Sequence, residues 1–285
     1  MHRHLTFDLV LHDDSELSAL LGSRIVARRT LHEWPLSCVQ RVTATGDARI
    51  IFIYKAQAAP TIEPEFYAAA RSPLLPEART LYRTEQHACM LIEFIYAPRL
   101  ADLRLPAAEV VRIGRALIEA MSQIEGQPPT VLDIGSPAAW AAVAESMLGG
   151  LRGLMDAGRF TAVDAGALRE IERAASKSVL DAVSAPAGLI HSDLGGENVF
   201  VLGEDFRVVD WQYPKRGPAD LDLAILLEST GLDPRDYVDT GVVRLMLLLR
   251  ILWLTECATR WFTPGVESYD RQIAQLANAL TKMRA

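Results

Sequence analysis

Over the first ninety-odd residues the apolar positions come in short β-branched and aromatic runs broken by polar residues. "RIVARRTL", "SCVQRVTAT" and "ARIIFIYKA" have this character, and the turn signal "TGD" at 45–47 separates the last two, so a β-meander is predicted. After Pro60, "TIEPEFYAAARS" reads as a helix, with Thr61 offering an N-cap and Pro64 fitting the first turn. "ACMLIEFI", 88–95, returns to strand character.

From Pro106 the period lengthens to that of helices. "PAAEVVRIGRALIEAMSQI", "SPAAWAAVAESMLGGLRGLM" from Ser136 and "VDAGALREIERAAS" from Val163 each place apolar residues at helical spacing. One β-rich island, "GLIHSDLGGENVFVLGEDFRVVDW" (188–211), interrupts this half before helices resume. The pattern predicts an α+β chain of two lobes: a β-rich lobe at 1–92, a connection at 93–98, and a larger helical lobe at 99–285 that carries a hairpin.

With 285 residues and a hydrophobic fraction of 50%, the chain is long enough to bury a sizeable core. The formal charge of −7 argues against a nucleic-acid partner and favours a cationic or metal-chelated ligand. Cys38, Cys89 and Cys257 are widely spaced, without a CxxC pair, and read as buried apolar residues rather than a disulfide framework or zinc site. The N-terminus lacks a leader-like apolar run, and the longest apolar stretch, "VVRLMLLLRILWL", is broken by Arg244 and Arg250. The expectation is a cytoplasmic protein with no membrane partner; its oligomeric state is open. His2, His4, His12, His32 and His87 have no metal-ligand spacing.

The chemistry concentrates in the island. In "HSDLGGENVF", Asp193 and Asn198 flank a turn made tight by Gly195 and Gly196, and Asp210 follows twelve residues later, after the apolar strand "FRVVD". Two strands would bring Asn198 and Asp210 side by side as hard oxygen ligands suited to Mg²⁺. Asp193 would then be left to accept a proton, which is the set of groups that phosphoryl transfer needs. A polar hairpin with ordinary turn hydrogen bonds would account for Asp193 and Asn198, but not for Asp210. Lys55, following an apolar strand, supplies a cation for phosphates. Glu63 is the favoured carboxylate to hold it, with Glu65 the alternative.

These residues resemble the aminoglycoside phosphotransferase and choline kinase-like superfamily, whose fold is that of the protein kinases. "HSDLGGENVFV" is similar to the family's HGDLxxxNxxV segment, "VVDWQ" to its metal-binding segment, and "GPADLDLAILL" to its G…DLA helix start. The resemblance is clear over 188–228 and looser over 48–98. It implies that Asp193 is the catalytic base, that Asn198 and Asp210 hold magnesium, and that Lys55 binds the phosphates of ATP, with GTP as the alternative nucleotide. Asp222 would anchor the catalytic loop from a helix start, and His191 would support that loop. "MLIEFI" is similar to the inter-lobe hinge, so the backbone at Glu93, Phe94 and Ile95 would meet the adenine.

Two departures accompany the match. Ser192 stands where the family has glycine, a replacement tolerable on ordinary backbone. The phosphate-covering segment "RRTLHEWPLSCVQRV" has no glycine, so its amides are not expected to approach phosphates closely.

The function expected is ATP- and Mg-dependent transfer of a phosphoryl group to the hydroxyl of a small molecule, such as an aminoglycoside, amino alcohol or sugar. The eleven residues between Asp210 and Asp222 are too few for the activation and peptide-docking segment of a protein kinase. A catalytically silent scaffold is the alternative, and it would not need base, metal ligands and lysine together. Trp140, Trp253, Trp261, Phe262 and Tyr269 are candidate acceptor contacts, although Trp253 reads as core. Glu228, Asp233, Asp236 and Glu256 are candidates to meet ammonium groups.

Overall fold

The computed structural model describes residues 1–46, 49–262 and 265–283, so Asp47 of the expected "TGD" turn lies outside the described residues. Along the chain come α1 (Asp14–Leu21), β1 (Arg24–Trp34), β2 (Ser37–Thr45), β3 (Arg49–Ala58), α2 (Glu63–Ala69), β4 (Ala78–Arg83) and β5 (His87–Glu93). Then follow α3 (Ala107–Ser122), β6 (Leu132–Asp133), α4 (Pro137–Asp156), α5 (Ala165–Arg173), α6 (Leu180–Ser184) and β7 (Ala187–Ile190). The last are β8 (Val199–Leu202), β9 (Asp205–Val208), β10 (Lys215–Pro218), α7 (Asp220–Ser229), α8 (Thr240–Glu256) and α9 (Val266–Lys282). The α+β expectation, with strands first and helices after, holds.

Two compact units emerge. One comprises 1–103 with 123–129 and 197–213, and the other 104–122 with 130–196 and 214–285. The hairpin from the sequence island therefore belongs to the first unit.

In that unit the strands form an antiparallel sheet ordered β1-β2-β3-β5-β4. Its register sets Lys55 of β3 between Val39 and Met90. The inward residues Val42, Phe52, Tyr54 and Leu91 pack with Leu9 and Leu17 beneath the sheet. Leu17 comes from α1, which a reciprocal capping box between Asp13 and Glu16 starts and Gly22, at φ 61°, ends.

Helix α2 begins one residue later than Thr61 would cap. Ile62 is the N-cap, and the Thr61 hydroxyl accepts a 3.3 Å bond from the Glu63 amide. The Phe66 ring stacks on Trp211 with centroids 4.4 Å apart, fixing α2 against the chain that leaves β9. The β8–β9 hairpin is tied to the rest of this unit by Val208 N–H to Leu74 O at 2.8 Å and Val201 N–H to Pro98 O at 3.0 Å.

In the second unit the expected helices form, with Ser136 and Asp164 as side-chain N-caps of α4 and α5. The core gathers Leu151, Ile171, Val183, Leu245, Leu248 and Ile273 from successive helices. A short sheet, β6-β10-β7, lies beside them. The run "VVRLMLLLRILWL" falls in α8, whose apolar residues are consumed by this core. Among the described residues no helix is long and apolar enough to cross a membrane. The buried Asp270 of α9 accepts the backbone N–H groups of Thr161, Ala162 and Val163 at 2.7 to 2.9 Å, satisfying three donors that precede α5. The three cysteines are buried and free, as expected.

Candidate active site

Strand periodicity puts Lys55 and Gln57 on one face of β3. Both reach the first residue of α2: Lys55 Nζ and Gln57 Nε2 each donate to Glu63 Oε2 at 2.6 Å. Glu63 is fully buried, and its partner Lys55 is 4% exposed. Between the two carboxylates that sequence left open, Glu63 holds the lysine, while Glu65 pairs with Arg83 at 2.8 Å.

Lys55 also donates to Asp210 Oδ1 at 2.6 Å. Burial works against the ammonium, but the Asp210 and Glu63 carboxylates outweigh it and hold the Lys55 pKa above its ordinary value. The lysine is therefore charged. Unlike Lys55 and Glu63, the Asp210 side chain keeps 40% of its surface exposed.

Asp210 has φ 70°, a left-handed conformation rare for a residue with a side chain. The hairpin brings its neighbourhood to Asn198: Val199 pairs with Val208, and Val209 N–H donates to Asn198 O at 3.0 Å. A carboxylate and a carboxamide at the open end of one hairpin are a donor set that fits Mg²⁺ completing its shell with water and phosphate.

At the expected hinge, the Glu93 amide already donates to Glu77 O at 2.8 Å. Phe94 carries the Arg41 guanidinium over its ring at 5.0 Å, and Ile95 is buried. The glycine-free segment is a hairpin in which Trp34 pairs with Ser37, so only Pro35 and Leu36 form the turn. Pro35 has no amide hydrogen, which leaves that turn poor in donors.

The second unit holds the loop after β7. Asp222, fully buried near the start of α7, accepts His191 N–H on Oδ2 and Ser192 N–H on Oδ1, both at 2.7 Å. Burial pushes the Asp222 carboxyl up to about 7, against the pull of those two amides and of Lys215. The Asp193 amide donates to His191 Nδ1 at 3.3 Å, which leaves the ring proton of a neutral His191 on Nε2. Asp193 itself is exposed, next to the fully buried Leu194.

Ser192 has φ 65°. The expectation that serine occupies ordinary backbone here is therefore corrected: the position has the left-handed geometry for which glycine is suited. Its hydroxyl accepts a 2.7 Å bond from Lys215 Nζ of β10.

The candidate acceptor contacts divide. Trp140 is core, 1% exposed, with Nε1 bonded to Ala175 O at 2.8 Å. Trp253, read from sequence as core, is instead half-buried and tilted against Trp261 with centroids 5.1 Å apart. Glu228 pairs with Arg250 at 2.5 Å and Asp233 with Arg235, so these carboxylates are already matched by arginines.

Sequence reasoning missed Gln57, which period-2 spacing from Lys55 could have found. It also missed Lys215, for which no local signal exists because the contact depends on β10 lying beside β7.

A model of the phosphotransferase enzyme family, APH, matches residues 40–245. No curated protein sequence matches the chain. Among solved structures, a thermostable mutant of the aminoglycoside phosphotransferase APH(4)-Ia, in ternary complex with ADP and hygromycin B, superposes with a TM-score of 0.64 at 15% identity, covering 95% of this chain and 98% of its own. A choline/ethanolamine kinase family protein from Mesorhizobium loti gives 0.62 at 17% identity, with 90% and 88% covered. A fructosamine-3-kinase-like protein from Thermobifida fusca gives 0.56 at 20% identity, with 94% and 98% covered. At these identities the likeness is one of fold, the mixed α+β fold of kinase-like phosphotransferases.

Proposed function

The chain belongs to the APH phosphotransferase enzyme family, and on that premise we propose that it transfers the γ-phosphoryl group of ATP to a hydroxyl of a small molecule. The observation that carries this reading is the Lys55 ammonium shared between Glu63 and Asp210 at 2.6 Å each. One buried cation with two carboxylates, one of them exposed, is a set suited to bind phosphate on the lysine while Glu63 keeps it oriented.

In this reading the first unit handles the nucleotide. Lys55 contacts its phosphates, backbone groups at Glu93, Phe94 and Ile95 meet the base, and Asn198 with Asp210 would hold Mg²⁺. That ion supplies charge neutralisation on the phosphates when bound. Since the Glu93 amide is committed to Glu77, the base is left to the Glu93 carbonyl and to Phe94 and Ile95.

Asp193 acts on the acceptor. Its carboxylate orients the hydroxyl and takes its proton as the oxygen forms a bond to the γ-phosphorus; the bond from that phosphorus to the bridging β,γ-oxygen breaks and ADP leaves. Asp222, through two amide bonds, fixes the loop that presents Asp193. ATP is favoured over GTP only by the superfamily likeness; two structural neighbours were crystallised with GDP.

The test is phosphate transfer from radiolabelled ATP with Mg²⁺, using hygromycin B, kanamycin, spectinomycin, choline, ethanolamine and a fructosamine as acceptors. Labelled product with one of them, absent in Asp193→Asn, supports the reading. No labelled product and no magnesium-dependent rise in melting temperature with ATP or GTP would leave the scaffold alternative in its place.

A further inference from the structure

We infer that Gln57 is a positioning residue for Lys55: its carboxamide donates to the same Glu63 oxygen that receives the ammonium, and so holds Glu63 in place independently of the lysine. The inference rests on the proposed contact of Lys55 with nucleotide phosphates and adds to it a residue that the motifs do not contain. Gln57 stands two residues past Lys55 on one face of β3, the central strand of its sheet, paired with Ser37 of β2 on one side and Ala88 of β5 on the other. Its backbone is thus locked from both sides.

Six residues later Glu63 opens α2. Gln57 Nε2 and Lys55 Nζ each lie 2.6 Å from Glu63 Oε2, and Gln57 and Glu63 are 1% and 0% exposed. The carboxamide therefore ties the start of α2 to a fixed strand without using the charge of the lysine.

Packing does not account for a glutamine here. Among the described residues, Gln57 Oε1 and Glu63 Oε1 are buried with no hydrogen-bond partner, and an apolar side chain at 57 would bury no such carbonyl. What the amide end supplies is a second donor on a fully buried carboxylate.

The lysine needs that second donor because its own are shared. An ammonium has three N–H groups, and Lys55 places two of them on Glu63 and Asp210. In the proposed reaction the third turns to phosphate, and Asp210 also serves as a metal ligand, so the pull on the ammonium comes from that side. Glu63 opposes it. With Lys55 as its single donor the Glu63 carboxylate would turn along with the lysine; Gln57 fixes its orientation.

The direct test is the ammonium spectrum of full-length protein labelled with nitrogen-15 lysine, recorded without nucleotide. The lysines are Lys55, Lys177, Lys215 and Lys282, so the Lys55 signal is assigned by its loss in Lys55→Arg. In Gln57→Met that signal shifts, while the signal of Lys215, in the second unit, stays and reports an intact fold. An unmoved Lys55 signal in folded Gln57→Met overturns the inference.

The second readout is Mg·ATP affinity by titration calorimetry. Gln57→Met weakens it roughly tenfold, the order of one hydrogen bond to a charged group. In a Glu63→Ala background the same substitution causes no further loss, because its effect passes through the Glu63 carboxylate. An equal loss in both backgrounds would assign Gln57 to packing alone and overturn the inference. If Gln57→Met does not fold, Gln57→Asn decides, since it keeps the amide but is one methylene too short to reach Glu63: an affinity equal to the parent's overturns the inference. Absence of Mg·ATP binding by the parent overturns the phosphotransferase reading, whereas a shifted Lys55 signal in Gln57→Met still supports the link from Gln57 through Glu63 to Lys55, so the two failures are distinct.

Discussion

Lys55 and Asp210 lie 155 positions apart in the chain and 2.6 Å apart in space, ammonium to carboxylate. The pair joins the third strand of the sheet to the end of the β8–β9 hairpin, and Glu63 completes it from α2. Because Lys55 and Glu63 are buried while Asp210 is partly exposed, one end of the group is fixed and the other is open to a ligand.

Lys55→Met should therefore destabilise as well as inactivate. Removing the ammonium that bridges Glu63 and Asp210 leaves a buried carboxylate without this cation, which costs about 3 kcal/mol. Urea unfolding at pH 7 measures the loss, and a stability equal to the parent's would show that the group is not held as described.

Asp193→Asn should separate binding from turnover. An exposed side chain contributes little to folding, so melting temperature and its rise with Mg·ATP stay near the parent's. Phosphate transfer falls by roughly 10²- to 10⁴-fold, the usual range for loss of a general base. Loss of the nucleotide-dependent rise would place Asp193 in nucleotide binding instead.

Ser192 permits a comparison of two small substitutions. Both Ser192→Ala and Ser192→Gly remove the acceptor of the Lys215 hydrogen bond, but only glycine relieves the left-handed backbone, a difference of about 1 kcal/mol. Chemical denaturation should rank glycine above alanine; the reverse order would contradict the positive φ.

Asp222 gives the pH dependence of stability a definite sign. Its carboxyl rises from 3.8 to about 7 on folding, so between these values the folded state holds the extra proton. The stability it contributes is complete below the lower value and is lost as pH rises through the upper one. In Asp222→Asn this component vanishes, and unfolding free energy measured from pH 4 to pH 8 should be flatter than in the parent. Parallel curves would show that Asp222 is ionised in both states.

Much of this was legible in the chain. The strands of the meander, the three long helices and the hairpin that follows Asn198 and leads to Asp210 were readable from periodicity and turn chemistry, which act locally. Strand β4 was missed because "ARTLYR" alternates weakly and is largely exposed, so its pairing with β5 decides its structure. Helix α1 was also overlooked, although the Asp13 and Glu16 spacing is a readable capping box. Ser192 could not be read correctly, since the sign of φ is imposed by the Asp222 bonds to its loop from a helix start thirty residues later. The choice of Glu63 over Glu65 likewise depended on which face of α2 turns toward β3.

Asp270 has a consequence for the order in which the protein can be made. The amides of Thr161, Ala162 and Val163 have their carboxylate partner more than a hundred residues downstream, on α9. During synthesis that stretch leaves the ribosome long before its acceptor does, with only water to bond meanwhile. The second unit therefore cannot reach its final form until α9 has been translated, and a ribosome stalled before residue 270 would display a nascent chain open to proteases at 161–163.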